Sequence, residues 1–339
     1  MSDAGDTRRY ESLSDFIIRR VLYLIPTLIL ISIVSFVVIN LPPGDFLTAR
    51  IAELEMRGDT TSRQYLEQLK GYYGLDLPVY VQYWRWISRF VVGDFGLSFE
   101  YNKPVRELVG ERLALTILLS VCTILFTWIV AIPIGVYSAT HQHSFGDRVF
   151  TFISFAGMAT PGFLLALVVM VLVLMRYDVS LLGLFSAEYV NAPWSWAKFV
   201  DLLKHLWLPV VLVGFSQTAG LIRIMRGNML DVLGQQYITT ARSKGLKERV
   251  VVYKHALRIA INPLISIAGM SLPNIIGGEM LTSIVLNLPT TGPLFYRALV
   301  MQDMYLAGSF LLFLVVFLVL GNFLADLALA WSDPRIRYE

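Results

Sequence analysis

Residues 113–139 read LALTILLSVCTILFTWIVAIPIGVYSA and contain no charged side chain. A bilayer hydrocarbon core about 30 Å thick needs about 20 such residues in one helix, so Leu113–Ala139 is long enough to cross a membrane. Another stretch, Ile259–Leu288, is also long enough but contains the carboxylate of Glu279. The chain has six segments that suit spanning helices, the other four being Val21–Leu41, Val149–Met175, Leu206–Ile222 and Met304–Ala325.

The composition of the whole chain favours a membrane protein. Hydrophobic residues make up 56% of the 339 residues and charged residues only 16%, whereas soluble domains carry about 25% charged residues. Buried helices of a large soluble core are the alternative, but a soluble protein of this length cannot accommodate so many uncharged stretches. We therefore predict an all-α integral membrane protein with six transmembrane helices.

Lysine and arginine in short loops indicate which side of the membrane is cytoplasmic. Four arginines precede the first span, so residues 1–20 are predicted to be a cytoplasmic segment and residues 21–338 a single membrane domain. Six spans return the C-terminus to the cytoplasm. The segment between the fourth and fifth spans is cytoplasmic by span count and by charge, with the cations Arg223, Arg226, Arg242, Lys244, Lys247, Arg249, Lys254 and Arg258.

The long segment at residues 42–112 is then external. Its nine basic and ten acidic residues nearly balance, and loops of this length are translocated largely regardless of charge. The dense aromatic residues of Tyr80–Phe90 predict a short amphipathic element at the membrane interface. A second external loop, Arg176–His205, contains Trp194 and Trp196 and is expected to be similar.

Prolines occur in the first five spans. Proline removes a backbone hydrogen bond and bends a spanning helix. These kinks are either tolerated features of packing or the bends of helices around a gated path. The residues are Pro26, Pro133, Pro161, Pro209, Pro263 and Pro273.

The sequence lacks motifs for catalysis. It contains no Gly-x-x-x-x-Gly-Lys-Ser/Thr loop for ATP phosphates, no His-Glu-x-x-His and no Gly-x-Ser-x-Gly. His141 and His143 flank Gln142 and could hold a metal, but solvated loop histidines give the same pattern. The single cysteine, Cys122, excludes an intramolecular disulfide framework. We predict no catalytic residue, no metal site and no directly bound cofactor.

The cytoplasmic residues 236–263, QYITTARSKGLKERVVVYKHALRIAINP, are the most informative. We predict a short helix at Tyr237–Lys244, in which Ala241 offers a small contact surface to another protein. Gly245 stops this helix, because glycine readily adopts the left-handed cap conformation. A second helix, Lys247–Ile261, leads into the fifth span. The pattern fits either a helix that docks in another protein's cleft or a solvated basic loop that obeys the positive-inside rule.

This stretch resembles the "EAA" loop of permeases from binding-protein-dependent ABC importers of the dipeptide/oligopeptide type. The resemblance extends over nearly the whole chain and includes Gly74–Pro78, Gly93–Gly96 and Asp333–Arg337. It implies that residues 223–260 form a coupling loop in contact with a separate ATPase. The coupling residues implied are Gln236, Tyr237, Thr240, Ala241, Arg242, Lys244, Gly245, Leu246, His255 and Ala256.

The resemblance also implies a type I ABC importer permease fold in the bacterial inner membrane. A second, homologous permease would complete the path, two ATPase subunits would use ATP, and a periplasmic binding protein would deliver cargo by way of alternating access. The surroundings would be the lipid bilayer, and no nucleic acid would be involved.

Two departures from the family pattern leave the cargo open between peptide, opine and oligosaccharide. Gln236 replaces the usual acid before the tyrosine. Glu279 lies four residues from the usual carboxylate position, about one helical turn away, and residues 289–292 replace the usual Pro-Gly-Leu-Gly turn. Glu279 either pairs inside the bundle or contacts cargo. With Gln217 and Asn274 it forms our candidate translocation path.

A self-sufficient secondary transporter or channel is the alternative function. Ion and proton relays need charged residues in several spans. Only Glu279 is central to a span here, and Asp326 lies near the inner end of the sixth. The sequence therefore favours the importer permease.

Cysteine labelling tests the predicted topology. In a Cys122→Ser background, cysteines at Lys70 and Ala192 should react with an impermeant thiol reagent added to intact cells. Cysteines at Gln142 and Lys247 should react only after the membrane is opened, because the positive loops face the cytoplasm. External labelling of Lys247→Cys in intact cells would contradict this topology.

Overall fold

A computed structural model describes residues 13–41, 76–177, 182–273 and 280–332, together with single positions between residues 42 and 75. This described part is almost entirely helical, apart from one two-stranded antiparallel hairpin. The elements are α1 (Leu13–Asn40), α2 (Val79–Val91), β1 (Leu97–Ser98), β2 (Lys103–Pro104), α3 (Val105–Thr140), α4 (Phe145–Ala159), α5 (Gly162–Tyr177), α6 (Trp196–Leu233), α7 (Gln236–Ser243), α8 (Glu248–Val250), a π-helical segment (Val251–Ala256), α9 (Leu257–Ala260), α10 (Asn262–Pro273), α11 (Met280–Val285), α12 (Thr291–Val300) and α13 (Met304–Ser332).

The helices include four that are long and apolar enough to cross a membrane, or five if α4 and α5 count as one span. The four are Val105–Thr140, Trp196–Leu233, Glu248–Ile267 and Met304–Leu324. An apolar part of α1, Ile25–Asn40, is shorter. The all-α membrane class is confirmed, whereas six spans with both termini in the cytoplasm remain a prediction.

The third predicted span, Val149–Met175, is wrong as a single helix. The chain forms α4 and α5, which meet at an angle of 100°. Thr160 has the extended conformation that a following proline favours, with φ −98° and ψ 118°. Pro161 lacks the N–H that would continue the helix. The predicted bend is therefore confirmed here, whereas Pro133 and Pro209 lie inside helices that continue past them.

Helix α6 is much longer than the predicted span Leu206–Ile222, because it runs from Trp196 to Leu233. Residues 196–205, which the sequence assigns to the second external loop, are thus the first part of this helix, and their external location stays a prediction. The Ser195 hydroxyl accepts a hydrogen bond from the Lys198 N–H and caps the helix. Serine is a common N-cap residue, so Ser195 could have indicated from the sequence that the helix begins at Trp196.

Small residues let α6 pack closely against α3. A Cβ atom on Gly135 would lie 2.6 Å from Cβ of Met225, and one on Gly214 would lie 3.0 Å from a ring carbon of Phe126. Such glycines allow two membrane helices to approach closely without a hydrophobic driving force. This pair forms the centre of the described bundle.

The predicted amphipathic element at Tyr80–Phe90 is confirmed as α2. Its Trp86 side chain is only 3% exposed and lies 5.5 Å from the ring of Phe36 on α1. Gly308 of α13 makes room for the indole, because a Cβ there would lie 3.0 Å from it. Tyr80 and Trp84 are exposed. One face of α2 thus packs on the bundle, and the other leaves aromatic rings outside.

A buried carboxylate attaches the two-stranded hairpin, β1 and β2, to the start of α13. Asp303 is fully buried and accepts hydrogen bonds from Ser98 Oγ at 2.6 Å, the Glu100 N–H at 3.2 Å and the Leu306 N–H at 3.2 Å. Burial raises the pKa of Asp303, and these hydrogen bonds oppose the rise. One side chain therefore caps a helix and fixes the hairpin.

We expect Asp303→Ala to lower the free energy of unfolding by about 3 kcal/mol, because it leaves two buried donors and one partly buried donor without an acceptor. Denaturant unfolding in detergent, followed by tryptophan fluorescence, measures this. Asp94→Ala is the control: Asp94 is exposed and accepts one hydrogen bond, from the Gly96 N–H. Equal stability of the two variants would contradict the role of Asp303.

Candidate functional site

The short helix predicted between the fourth and fifth spans is confirmed as α7, which begins and ends one residue earlier than predicted. Helix α6 ends at Leu233, and Gly234 and Gln235 turn the chain into α7 at Gln236. Gln235 is extended, with ψ 150°. The loop helix therefore follows a bundle helix after two residues, so the two cannot move independently over any large distance.

Gly245 ends α7 as predicted. Its φ is +75°, a region that glycine adopts without steric cost. The Gly245 N–H donates to the Arg242 carbonyl at 2.9 Å, and the Leu246 N–H donates to the Ala241 carbonyl at 3.4 Å. These two bonds form a Schellman motif, which satisfies the last carbonyls of a helix.

The inner face of α7 packs on its own chain. Ile238 is 0% exposed and Ala241 is 8% exposed. The two residues lie three positions apart, and therefore on one face of the helix. The prediction that Ala241 offers a contact surface to another protein is thus wrong, because the side chain lies in the core of its own loop. The buried neighbours of that cluster include Met229, Val251, Val252 and Ala256.

The outer face of α7 and its C-terminal turn are exposed. We call this set the coupling surface, and its anchors are Tyr237, 41% exposed, and Leu246, 40% exposed. Thr240 and Lys244 provide polar and positive groups between them. The full set is Gln236, Tyr237, Thr240, Lys244, Gly245 and Leu246.

Arg242, another predicted coupling residue, is paired within the loop. Its guanidinium donates to both carboxylate oxygens of Glu248, at 3.1 Å from Nε and 2.7 Å from Nη2. These hydrogen bonds raise the pKa of Arg242. The pair is exposed to solvent, so its energetic value is small. Its geometry holds the end of α7 against the start of α8.

A cavity of about 460 Å³ opens beside the loop. It lies between Arg242 and Glu248 on one side and the turn at His141 and Gln142 on the other. His141 stacks on Tyr137 with ring centroids 4.7 Å apart. The turn between α3 and α4 therefore lies beside the coupling loop.

The second loop helix, predicted at Lys247–Ile261, contains a π-helical segment, Val251–Ala256. His255 lies in this segment and is half-buried, and Ala256 is buried. The Asn228 side chain of α6 donates to the Ala260 carbonyl at 3.2 Å. A π turn adds one residue without changing residue types, so the apolar pattern could not reveal it.

The structure describes one of the three candidate path residues. Gln217 is half-buried in α6. Asn274 and Glu279 lie outside the described residues. Sequence reasoning missed the ion pair between Asp147 of α4 and Arg226 of α6. The available signal was Ser144 three residues before Asp147, a spacing typical of a helix start.

Comparison with known proteins decides the family. The description "binding-protein-dependent transport system inner membrane component" matches residues 131–338, and its N-terminal counterpart matches residues 13–120. The chain belongs to this family. The permease is therefore a membrane component of a transport system and not an enzyme.

Several permease proteins are similar over nearly their whole length. AppB, the oligopeptide transport system permease protein of Bacillus subtilis (strain 168), is 38% identical over 324 residues, covering 95% of this chain and 99% of AppB. The dipeptide transport system permease protein DppB of Alkalihalophilus pseudofirmus is 32% identical over 337 residues, with 95% and 99% covered. The glutathione transport system permease protein GsiC of Escherichia coli (strain K12) is 31% identical over 325 residues, with 96% and 99% covered.

Gly245→Val tests the cap of α7 in this permease. A Cβ at Gly245 meets no atom within 4 Å, so the cost comes from the positive φ alone and is about 1–2 kcal/mol. We expect trypsin to cleave faster after Lys244 and Lys247 in open membrane vesicles. The control is Gly227→Ala, since Gly227 also has space for a Cβ but lies within α6. Equal cleavage of both variants would show that the cap does not hold the loop.

Proposed function

We propose that this chain is one of two permease subunits of an ATP-driven importer for peptide-like solutes. The observation that carries the proposal is the coupling surface, a capped and exposed helix held between two bundle helices in a chain of this family. ATP would be used by two partner ATPase subunits. A periplasmic binding protein would deliver the cargo to the external side.

The proposal includes six spans with both termini in the cytoplasm. Residues 1–20 would precede a single permease domain at 21–338, with an external loop at 42–112 and the coupling loop at 223–260. The clustered cations of the coupling loop support this orientation, since positive short loops remain cytoplasmic. The hairpin fixed by Asp303 would then lie on the external face with α2.

The coupling surface has the chemistry of a small docking site. An eight-residue helix such as α7 is about 12 Å long. Aromatic and large side chains are the usual energetic anchors of protein contacts, and Tyr237 and Leu246 fill that role here. Because Ile238 and Ala241 attach α7 to its own chain, displacement of α7 by an ATPase would move the bundle ends with it. That movement would drive alternating access.

Peptide-like cargo is supported by the relatives, whose names refer to oligopeptides, dipeptides and glutathione. Because of the altered turn at residues 289–292, the sequence also allows an oligosaccharide or an opine as the cargo. Within that turn, Thr291 is engaged in packing, because its hydroxyl is hydrogen-bonded to the Thr116 hydroxyl of α3 at 3.2 Å. Packing against α3 therefore accounts for the altered turn, and we retain peptide-like cargo as the proposal.

Reconstitution tests the function. The chain is placed in proteoliposomes with the second permease, the ATPase subunits and the binding protein encoded beside it, and uptake of labelled dialanine, pentaalanine, glutathione and a maltooligosaccharide is measured. Uptake of a peptide that requires both ATP and the binding protein is the expected result. Uptake without ATP would instead support a secondary transporter or channel.

Leu246→Glu tests the docking. It places a carboxylate on the coupling surface without touching the loop core, so the variant should reach the membrane normally. We expect ATPase subunits to co-purify at about a tenth of the normal amount or less, since a desolvated unpaired charge at a contact costs several kcal/mol.

The control for this variant is Val92→Glu, because Val92 is also exposed but lies at the end of α2, far from the loop in sequence. It should leave the ATPase subunits bound. Normal co-purification of Leu246→Glu would contradict the assigned docking surface.

A further inference from the structure

A buried ion pair joins the cytoplasmic ends of α4 and α6. Arg226 Nε donates to Asp147 Oδ1 at 2.9 Å, and Arg226 Nη2 donates to Asp147 Oδ2 at 3.0 Å. The Asp147 side chain is only 5% exposed, and that of Arg226 is 28% exposed. Bidentate pairing of a planar guanidinium fixes the orientation of the two partners as well as their distance.

The Asp147 carboxylate is also fixed to the turn that precedes α4. Asp147 Oδ2 accepts a hydrogen bond from the His143 N–H at 3.0 Å, and the Asp147 N–H donates to Ser144 Oγ at 3.1 Å. His143 has a positive φ of 62°, which aims its N–H at the carboxylate. Arg226 is thereby attached to the whole beginning of α4, and not to one mobile side chain.

A second attachment joins α4 to α6 at the other end of α4. Ser216 Oγ of α6 donates to the Thr160 carbonyl at 3.2 Å, directly before the break at Pro161. Nearby, a Cβ on Gly157 would lie 2.8 Å from Cβ of Ala219, so the two helices are in close backbone contact. Helix α4 is therefore held to α6 at both ends, whereas α5 lies beyond a 100° break.

Helix α6 continues directly into the coupling loop. Gln236, the first residue of α7, lies ten positions after Arg226. A displacement of α7 must therefore reach the ion pair through the turn at Gly234 and Gln235 and about 10 Å of helix. In the described residues this pair is the charged connection between α6 and the broken helix.

We propose that Asp147 and Arg226 are positioning residues that make α4 follow α6 when the ATPase subunits displace α7. The inference rests on the proposed function. Helices α4, α6 and α7 then move as one unit, and the backbone at Thr160 and Pro161 is the hinge at which α5 changes its direction relative to them. A purely structural pair would stabilise the fold but would have no effect on nucleotide-dependent movement.

Distances between spin labels separate these two roles. In a Cys122→Ser background, labels are attached at Phe152 of α4 and Thr239 of α7, or at Met175 of α5 and Thr239. Phe152 and Met175 are exposed, at 74% and 81%, and Thr239 is exposed and outside the coupling surface. Distances are measured by pulsed electron paramagnetic resonance in the assembled complex, without nucleotide and with ATP and vanadate.

We expect the Phe152–Thr239 distance to stay constant in the otherwise wild-type complex, and the Met175–Thr239 distance to shift with nucleotide. Asp147→Asn keeps the size of the side chain but removes the charge, so the Phe152–Thr239 distance should now broaden and shift with nucleotide. Arg226→Lys keeps the positive charge but lacks the planar guanidinium that makes two hydrogen bonds to Asp147. The Phe152–Thr239 distance should therefore shift less than in Asp147→Asn. Glu100→Gln removes the external pair with Arg297 and should behave as wild type.

Each other outcome is decisive. A nucleotide-dependent Phe152–Thr239 distance in the wild-type complex would overturn the inference, as would a constant distance in Asp147→Asn. If Asp147→Asn fails to assemble, a constant distance in Arg226→Lys would overturn it. No nucleotide-dependent change at all in the Met175–Thr239 distance of the wild-type complex would instead contradict the proposed ATP-driven function.

Discussion

In a hydrocarbon layer every backbone N–H and C=O must find its partner inside the protein, and the rest of this structure depends on that constraint. It makes the described bundle helical and makes any interruption expensive. The break at Pro161 is accommodated because the Ser216 hydroxyl of α6 donates to the Thr160 carbonyl. Gly157 at the α4–α6 contact brings the two backbones close enough for this side-chain hydrogen bond to form. The bend is thus a property of the neighbouring helix as much as of the proline.

Charged side chains follow from the same constraint, because unpaired charges are costly in a low-dielectric interior. In the described residues the most buried carboxylates lie near helix ends, and each accepts several hydrogen bonds. Asp303 holds the hairpin of β1 and β2, and Asp147 holds the turn before α4 together with Arg226. Removing Arg226 would leave the Asp147 carboxylate buried and uncompensated. These groups therefore fix where the helices begin.

Composition and spacing predicted the membrane class, the short loop helix and its glycine stop, since each depends on local residue types. The glycine at 245 needs only its own φ and two backbone bonds. Sequence alone could not choose between Pro161, which breaks a helix, and Pro133 or Pro209, which do not, because the neighbouring helix decides. Nor could it pair Asp147 with Arg226 across 79 positions. Ala241 was misread because a small residue suits an inner contact as well as an outer one.

The 38 residues of α6 have a further consequence for the lipid environment. Such a helix is about 57 Å long, whereas the hydrocarbon core measures about 30 Å. Hydrophobic mismatch normally lets bilayer thickness set the tilt and depth of a helix. Helix α6 is about twice as long as this core is thick and is packed closely on its neighbours at glycines. We therefore expect protein packing, more than bilayer thickness, to set its position.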